Sequence, residues 1–293
     1  MLAIVDGESQ SLAADVRCFS LKTPTLPPAT ATNTLLFGTK RLVVVEPACP
    51  YPEGQAVLER AIEARCAKGA ALTAIVLSHH HRDHIGHAER LRARFGAPLM
   101  AHPETAARLV FEIDRPLDDG DVVSFDEGRS LTAFFTPGHA PGHLVLRDAE
   151  AGVVYAGDMI AGEGTILIEP EDGGDMRAYL RSLERLRDDI CGPNSVLVPS
   201  HGPVIERPGA ACTALIAHRH RRERKVLDAL EGGALHVEAL LARVYDDTPR
   251  ALWPLAARAL EAHLQKLYAE GRAALQGGRV RATADPGEHS HGT

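Results

Sequence analysis

The sequence predicts a layered α/β sandwich followed by a small helical domain that ends in a two-stranded wing. Three observations predict it. Short apolar runs alternate with turns and helical stretches over the first two-thirds of the chain. Near residue 210 the texture changes to three helical patterns and a Gly-Gly hairpin. At 293 residues, the chain is also long for one core and suits a large domain plus a small one. The expected boundaries are 1–209 for the sandwich, 210–285 for a winged-helix-like domain and 286–293 for a disordered tail.

Each element has its own signal. "NTLLFG" and "RLVVVEP" read as a hairpin turning near Gly38. "EGQAVLERAIEARCAKG" carries apolar residues at helical spacing, with Gly69 as the expected C-cap. "ALTAIVLS" is a continuous apolar run, as in a strand buried on both faces. "HAERLRARFG" reads as a short helix and "APLMAH" as a strand. The segments "DVVSF", "LTAFFTPGH", "HLVLRD" and "GVVYAGD" follow as strands, then a helix over 175–189 and the strand "NSVLVPSHG". Strands in both halves with helices between them give the sandwich. Beyond it, "ACTALIAHRHRRERKVLDALEGG", "HVEALLARVYDD" and "RALWPLAARALEAHLQKLYAEG" are helices, and "RAALQGGRVRA" is the wing.

Composition narrows the function classes. An apolar fraction of 45% and a charged fraction of 24% are ordinary for a soluble globular chain. No apolar run approaches the roughly 18 residues that span a bilayer, so no membrane partner is expected. The N-terminus has neither a basic n-region nor a cleavable apolar stretch, and the expected location is the cytoplasm. Cys18, Cys49, Cys66, Cys191 and Cys212 are scattered and never spaced CxxC, which argues for reduced thiols. The formal charge of −7 gives no general pull toward nucleic acid. It is uneven: residues 210–293 hold 12 basic and 10 acidic side chains, the remainder 20 and 29.

The chemistry concentrates in "LSHHHRDHIGH", residues 77–87, which holds five histidines and one aspartate directly after a buried strand. Within it, His79, His81, Asp83 and His84 form an HxHxDH pattern. Imidazoles at i and i+2 converge on one ion where the chain turns, and Asp83 and His84 can face a second. Imidazole and carboxylate suit zinc and other borderline divalent ions. Three more strand ends deliver candidates: His139 in "TPGH", Asp158 in "YAGD" and His201 in "PSHGP". Singly each is weak, because a polar residue at a strand end is usually a loop cap; together they imply one shared site.

These motifs, in this order, resemble the metallo-β-lactamase superfamily over about residues 15–205. "NTLLFG", "TPGHAPGH", "GDMRAYLRSLERLR" and the C-terminal segment resemble its β-lactamase-like protein 2 branch. The resemblance implies an αββα sandwich with a first zinc ion on His79, His81 and His139. It implies a second on Asp83, His84 and His201, with Asp158 bridging the two. The implied activity is hydrolysis by a metal-bridging hydroxide, with Asp83 and Asp158 as catalytic carboxylates; manganese or iron could replace zinc. The favoured substrate is a small acyl ester, thioester or lactone. The branch implies single-stranded RNA cleavage as the alternative. β-Lactamase activity, an iron-dependent oxygenase and a nucleic-acid-binding regulator rank lower, and a homodimer is one expected assembly. Ser78 and His87 depart from the family's usual Thr and Gly, and His87 is expected near the site's rim. His80 is read as solvent-exposed or outside the inner shell, His143 as an orienting or merely buried imidazole, and "HRHRRERK" as a solvated helix face. His289 and His291 are given no functional weight.

Overall fold

A computed structural model describes residues 9–283. The expected tail and the histidines His289 and His291 lie outside the described residues. In chain order the strands and helices begin with β1 (Ser9–Ala13), β2 (Val16–Lys22), β3 (Ala31–Phe37), β4 (Arg41–Val45) and α1 (Pro52–Cys66). Next come β5 (Ala71–Val76), α2 (Arg82–Ile85), α3 (Ala88–Phe95), β6 (Leu99–Ala101), α4 (Pro103–Ala106) and β7 (Arg115–Pro116). The second half of the sandwich holds β8 (Val122–Ser124), β9 (Ser130–Phe135), β10 (Leu144–Asp148), β11 (Val153–Gly157), α5 (Met176–Arg185) and β12 (Val196–Pro199). The C-terminal part consists of α6 (Pro208–Leu230), α7 (Val237–Val244), α8 (Trp253–Ala269), β13 (Ala273–Gln276) and β14 (Arg279–Ala282).

Strands β1 to β7 pair in sequence order into one sheet, and β12-β11-β10-β9-β8 form a second. The two-residue alternation of a strand decides which layer each side chain joins. Val43, Val45, Ala74 and Val76 meet Leu144, Leu146, Val153 and Tyr155 in the core between the sheets. Their neighbours Leu42, Val44, Ile75 and Leu77 face outward, against Leu58 and Ile62 of α1 and Leu91 of α3. On the other side Val154, Ala156 and Leu197 pack on Tyr179 and Leu183 of α5 and on Cys212 and Ile216 of α6. Both faces of the central strands are therefore buried, which is why they read as unbroken apolar runs. The αββα order expected from the sequence is the observed one.

Local differences have local causes. Helix α1 stops at Cys66, ahead of the expected cap Gly69, which adopts φ +90° one turn later. The helix expected over 175–189 is α5 followed by a π-helical turn, Leu186–Ile190, with both of those end residues buried. Asp175 caps α5, accepting from the N–H groups of Arg177 and Ala178 at 2.7 and 2.9 Å. The first two strands, β1 and β2, were not anticipated from the sequence.

One buried side chain ties the two sheets together at the end that carries the histidines. The Asn33 amide on β3 donates to Pro199 O at 2.8 Å and to Gly202 O at 2.9 Å, so it brackets His201. Its backbone N–H also donates to Ser200 O at 2.7 Å. An Asn33→Ala variant leaves both acceptors unpaired, at about 1–3 kcal/mol each when buried. The expected outcome is a loss of about 2–4 kcal/mol in urea unfolding, together with lower metal content after dialysis. An unchanged midpoint would show that the bracket carries no strain of consequence.

Candidate metal centre

Every candidate sits just past a strand end on the same edge of the sandwich. After β5 the chain bends at Ser78, is extended at His81, and α2 then turns Asp83 and His84 back toward the strand ends. Gly138 positions His139. It adopts φ +132°, and a Cβ there would lie 2.2 Å from the backbone N of Tyr179. Gly157 does the same for Asp158, with φ +53° and a would-be Cβ 2.3 Å from His143 Nε2.

His79, His81 and His139 form one cluster. His81 Nδ1 lies 3.0 Å from both His79 Nε2 and His139 Nε2. Two of these rings have their protons assigned by what they touch on the outside. His81 Nε2 faces Asp172 Oδ2 at 2.7 Å, and His139 Nδ1 donates to Leu167 O at 2.9 Å. Their inner nitrogens therefore point lone pairs at one another, which is unfavourable unless a cation lies between. Ligands about 2.0–2.1 Å from a tetrahedral zinc ion stand about 3.3 Å apart, so the spacing suits such an ion.

Asp83, His84 and His201 form the second cluster. His201 Nδ1 donates to Ala31 O at 3.0 Å, which turns Nε2 toward Asp158 Oδ1 at 3.5 Å and Asp83 Oδ2 at 3.6 Å. His84 Nδ1 lies 3.0 Å from Glu46 Oε1, and its Nε2 lies 3.5 Å from Asp83 Oδ1 and 3.7 Å from Asp158 Oδ2. Asp158 Oδ2 is also 3.4 Å from His139 Nε2, so this carboxylate stands between the clusters. The contacts of 3.4–3.7 Å are long for hydrogen bonds, and buried Asp158 Oδ1 has no hydrogen-bond partner among the described residues. The arrangement could hold two divalent ions with Asp158 shared.

The sequence missed two carboxylates, misjudged two other features, and left His80 with two readings of which the exposed one fails. Glu46, fully buried in the left-handed region at φ +63°, supports His84 and accepts from the Ser78 N–H at 3.2 Å. Its signal was available: a carboxylate closing the buried run "VVVEP". Asp172 sits in "EPEDGGD", where nothing distinguishes it from its acidic neighbours. His80 is not solvent-exposed: its side chain is 9% exposed and reaches Asp172 Oδ1 at 3.3 Å. His87 is not at the rim; it is buried, with Nε2 3.0 Å from Glu59 Oε1. The "HRHRRERK" stretch is not simply a solvated face, since Arg219 and Glu223 within it are buried. His143 is an orienting group. It accepts from the Asp158 N–H at 3.0 Å, and its Nδ1 meets Thr136 Oγ1 at 2.9 Å, while burial holds its pKa down to about 3.

The fold and these strand ends define a class. The chain belongs to the metallo-beta-lactamase superfamily and is a hydrolase of that class: the family's model matches residues 27–201. The beta-lactamase associated winged helix domain matches residues 237–281. Among its relatives is the beta-lactamase-like protein 2 homolog of Drosophila melanogaster, 31% identical over 269 residues, covering 87% of this chain and 86% of that one. An atrochrysone carboxyl ACP thioesterase of Aspergillus fumigatus is 30% identical over 209 residues, 68% of this chain and 60% of that protein. A beta-lactamase domain protein from Burkholderia ambifaria shares the fold, with a TM-score of 0.82 at 20% identity over 94% of both chains. No helix among the described residues is long and apolar enough to cross a membrane.

The two clusters differ in how they hold protons. Burial, and then repulsion from the other rings, keeps His79 far below the ordinary histidine range, while burial brings His139 to about 4. Burial opposes charge on His84 too, but Asp158, Glu46 and Asp83 overcome it and raise His84 to about 10. Asp158 likewise outweighs burial at His201 and raises it. Near neutrality His79 and His139 therefore stay neutral and each offers an acceptor nitrogen to an ion, whereas at His84 and His201 an ion must displace a proton from a raised group. The expected result is a second metal equivalent that weakens steeply from pH 8 to pH 6 while the first changes little. Calorimetric titration in buffers of different ionisation enthalpy measures this; equal proton release by both equivalents would sink the distinction.

Proposed function

We propose that the protein hydrolyses small acyl esters, thioesters among them, using two divalent ions, with zinc best matched to the donor set. His79, His81 and His139 would hold one ion, Asp83, His84 and His201 the other, and Asp158 both. When bound, such a pair acidifies a water and polarises the scissile carbonyl oxygen, so no protein nucleophile is required. The chain's own groups then have defined tasks. Asp158 turns Oδ2 toward both clusters and Oδ1 toward His201, His143 holds its backbone, and Asp172 and Glu46 orient His81 and His84. Asp83, with both oxygens turned toward imidazoles, is placed to orient the attacking water.

The cavity over the clusters carries the substrate reading. It measures about 280 Å³ and is lined by Leu26, Pro27, Ile166 and Leu167 together with Glu163, Glu169 and Asp172. The cation on its lining, Arg258, is paired with Glu169 at 3.0 Å. A lining with three carboxylates and one cation, itself paired, gives a phosphodiester backbone little to bind and suits a neutral ester. The thioesterase relative supports the same chemistry. A second reading, cleavage of single-stranded RNA, is favoured by one observation: the basic groups Arg221, Arg222, Arg224 and Lys225 share a surface hollow on α6.

Side-by-side turnover of acyl-thioesters, short single-stranded RNA and a chromogenic β-lactam tests the choice. Thioester hydrolysis with little salt dependence is expected; RNA cleavage with a steep salt slope would replace this reading with the second. Metal analysis should give about two ions per chain, falling sharply in Asp158→Ala and His201→Ala. The Asp172→Ala variant should lose about 10–100-fold in metal affinity, measured by competition with a chromophoric chelator. Full metal content and activity in both His79→Ala and His81→Ala would refute the assignment.

A further inference from the structure

Beside the active-site cavity lies a second one, of about 370 Å³, between the sandwich and the C-terminal domain. The segment 164–167 and Pro27 border both cavities. That segment is held from the two sides: His139 donates to Leu167 O, and the Arg219 guanidinium donates to Ile166 O. The second cavity is mostly apolar, with Pro28, Ile166, Leu255, Ala256 and Ala259 on its walls. Three buried polar groups also line it without being satisfied. Both ring nitrogens of His263, the Arg219 Nε and the Tyr245 hydroxyl have no hydrogen-bond partner among the described residues. His263 is 1% and Arg219 5% exposed.

Unpaired buried polar groups are costly, and their gathering in one apolar hollow points to a ligand site. Arg219 offers a donor only, a Tyr hydroxyl can donate, and neutral His263 has one donor and one acceptor. The occupant must therefore be apolar along its length and carry an oxygen acceptor. We propose that this interdomain cavity is the acyl-recognition pocket of the hydrolase, taking an apolar acyl chain whose far end carries an oxygen function. The proposal rests on the esterase and thioesterase reading above; in it the scissile carbonyl lies over the clusters and the chain passes beside Pro27 and the 164–167 segment, which border both cavities, to run under α8.

The test uses N-acetylcysteamine thioesters of acetic, hexanoic and 6-hydroxyhexanoic acid with the metal-loaded full chain. In the wild type, kcat/KM should rise at least tenfold from acetyl to hexanoyl and further with the terminal hydroxyl. Ala259→Phe, which fills the cavity, should lower the hexanoyl-to-acetyl ratio at least tenfold. His263→Leu should abolish only the gain from the hydroxyl, which guards against a general folding defect in the first variant. Ratios unchanged in both variants overturn the pocket. If the wild type hydrolyses none of the thioesters, the functional reading fails separately. The pocket is then judged by saturation-transfer binding of 6-hydroxyhexanoate: loss in Ala259→Phe supports it, and no binding or equal binding overturns it.

Discussion

The structure turns on one electrostatic constraint: acceptor atoms crowd together in a place from which water is largely excluded. His79 and His84 are fully buried, His139, His201 and Asp158 nearly so, and their inner atoms face one another. Such a set repels itself unless positive charge sits at its centre, since buried charges and lone pairs must be compensated. In the metal-free protein, protons supply part of that charge, on His84 and His201 in particular. Bound divalent cations would do so more completely, because they could meet the acceptors of both clusters. The site is in this sense a cation-shaped gap around which the strand ends are arranged.

The surrounding polar bonds follow from the same constraint. Each imidazole that must present a lone pair inward needs its other nitrogen engaged outward, and Ser78 Oγ, Asp172, Leu167 O, Ala31 O and Glu46 meet that need for His79, His81, His139, His201 and His84 in turn. Two of these partners are backbone carbonyls, so they cost the sequence nothing in side-chain identity. Gly138 and Gly157 serve the same end by letting backbone approach where a Cβ would collide. The two sheets in turn hold the four strand ends in register, with Asn33 and Tyr155 bonding across them near Ser200.

This division explains what was legible in the sequence. The alternation of Val43 and Val45 with Leu42 and Val44 is imposed by a sheet covered on both faces, so the layers could be read directly. The seven candidates were legible because His and Asp at the ends of apolar runs are chemically conspicuous, and the fold brings all seven together. Asp172 was not, because its partner lies 91 residues away and its own surroundings are simply acidic. His87 misled for the opposite reason. Proximity to the motif suggested the rim, but a helical turn carried it to Glu59, 28 residues back in the chain. Arg219 and Glu223 looked like surface charges because helix periodicity does not reveal what will pack over a face: the sandwich at Ile166 for Arg219, and Lys266 and Arg272 of its own domain for Glu223.

That last failure bears on the C-terminal domain itself. A winged helix with an arginine-rich helix invites a nucleic-acid reading, yet its charges are largely committed within the protein. Glu223 pairs with Lys266 at 2.6 Å and with Arg272 at 2.5 Å, and Arg222 lies 2.9 Å from Asp247 and 4.4 Å from the Tyr245 ring centroid. Arg219 and Arg258 reach out of the domain, but to Ile166 O and Glu169 of the sandwich. Charges held in this way cannot also release counterions from a phosphate backbone without giving up those bonds. Their geometric consequence is different: α6 and α8 are clamped against the 164–167 segment, whose carbonyl at Leu167 orients His139. The domain thereby becomes a wall of the catalytic region, and whatever fills the space beneath α8 bears directly on a residue of the metal centre.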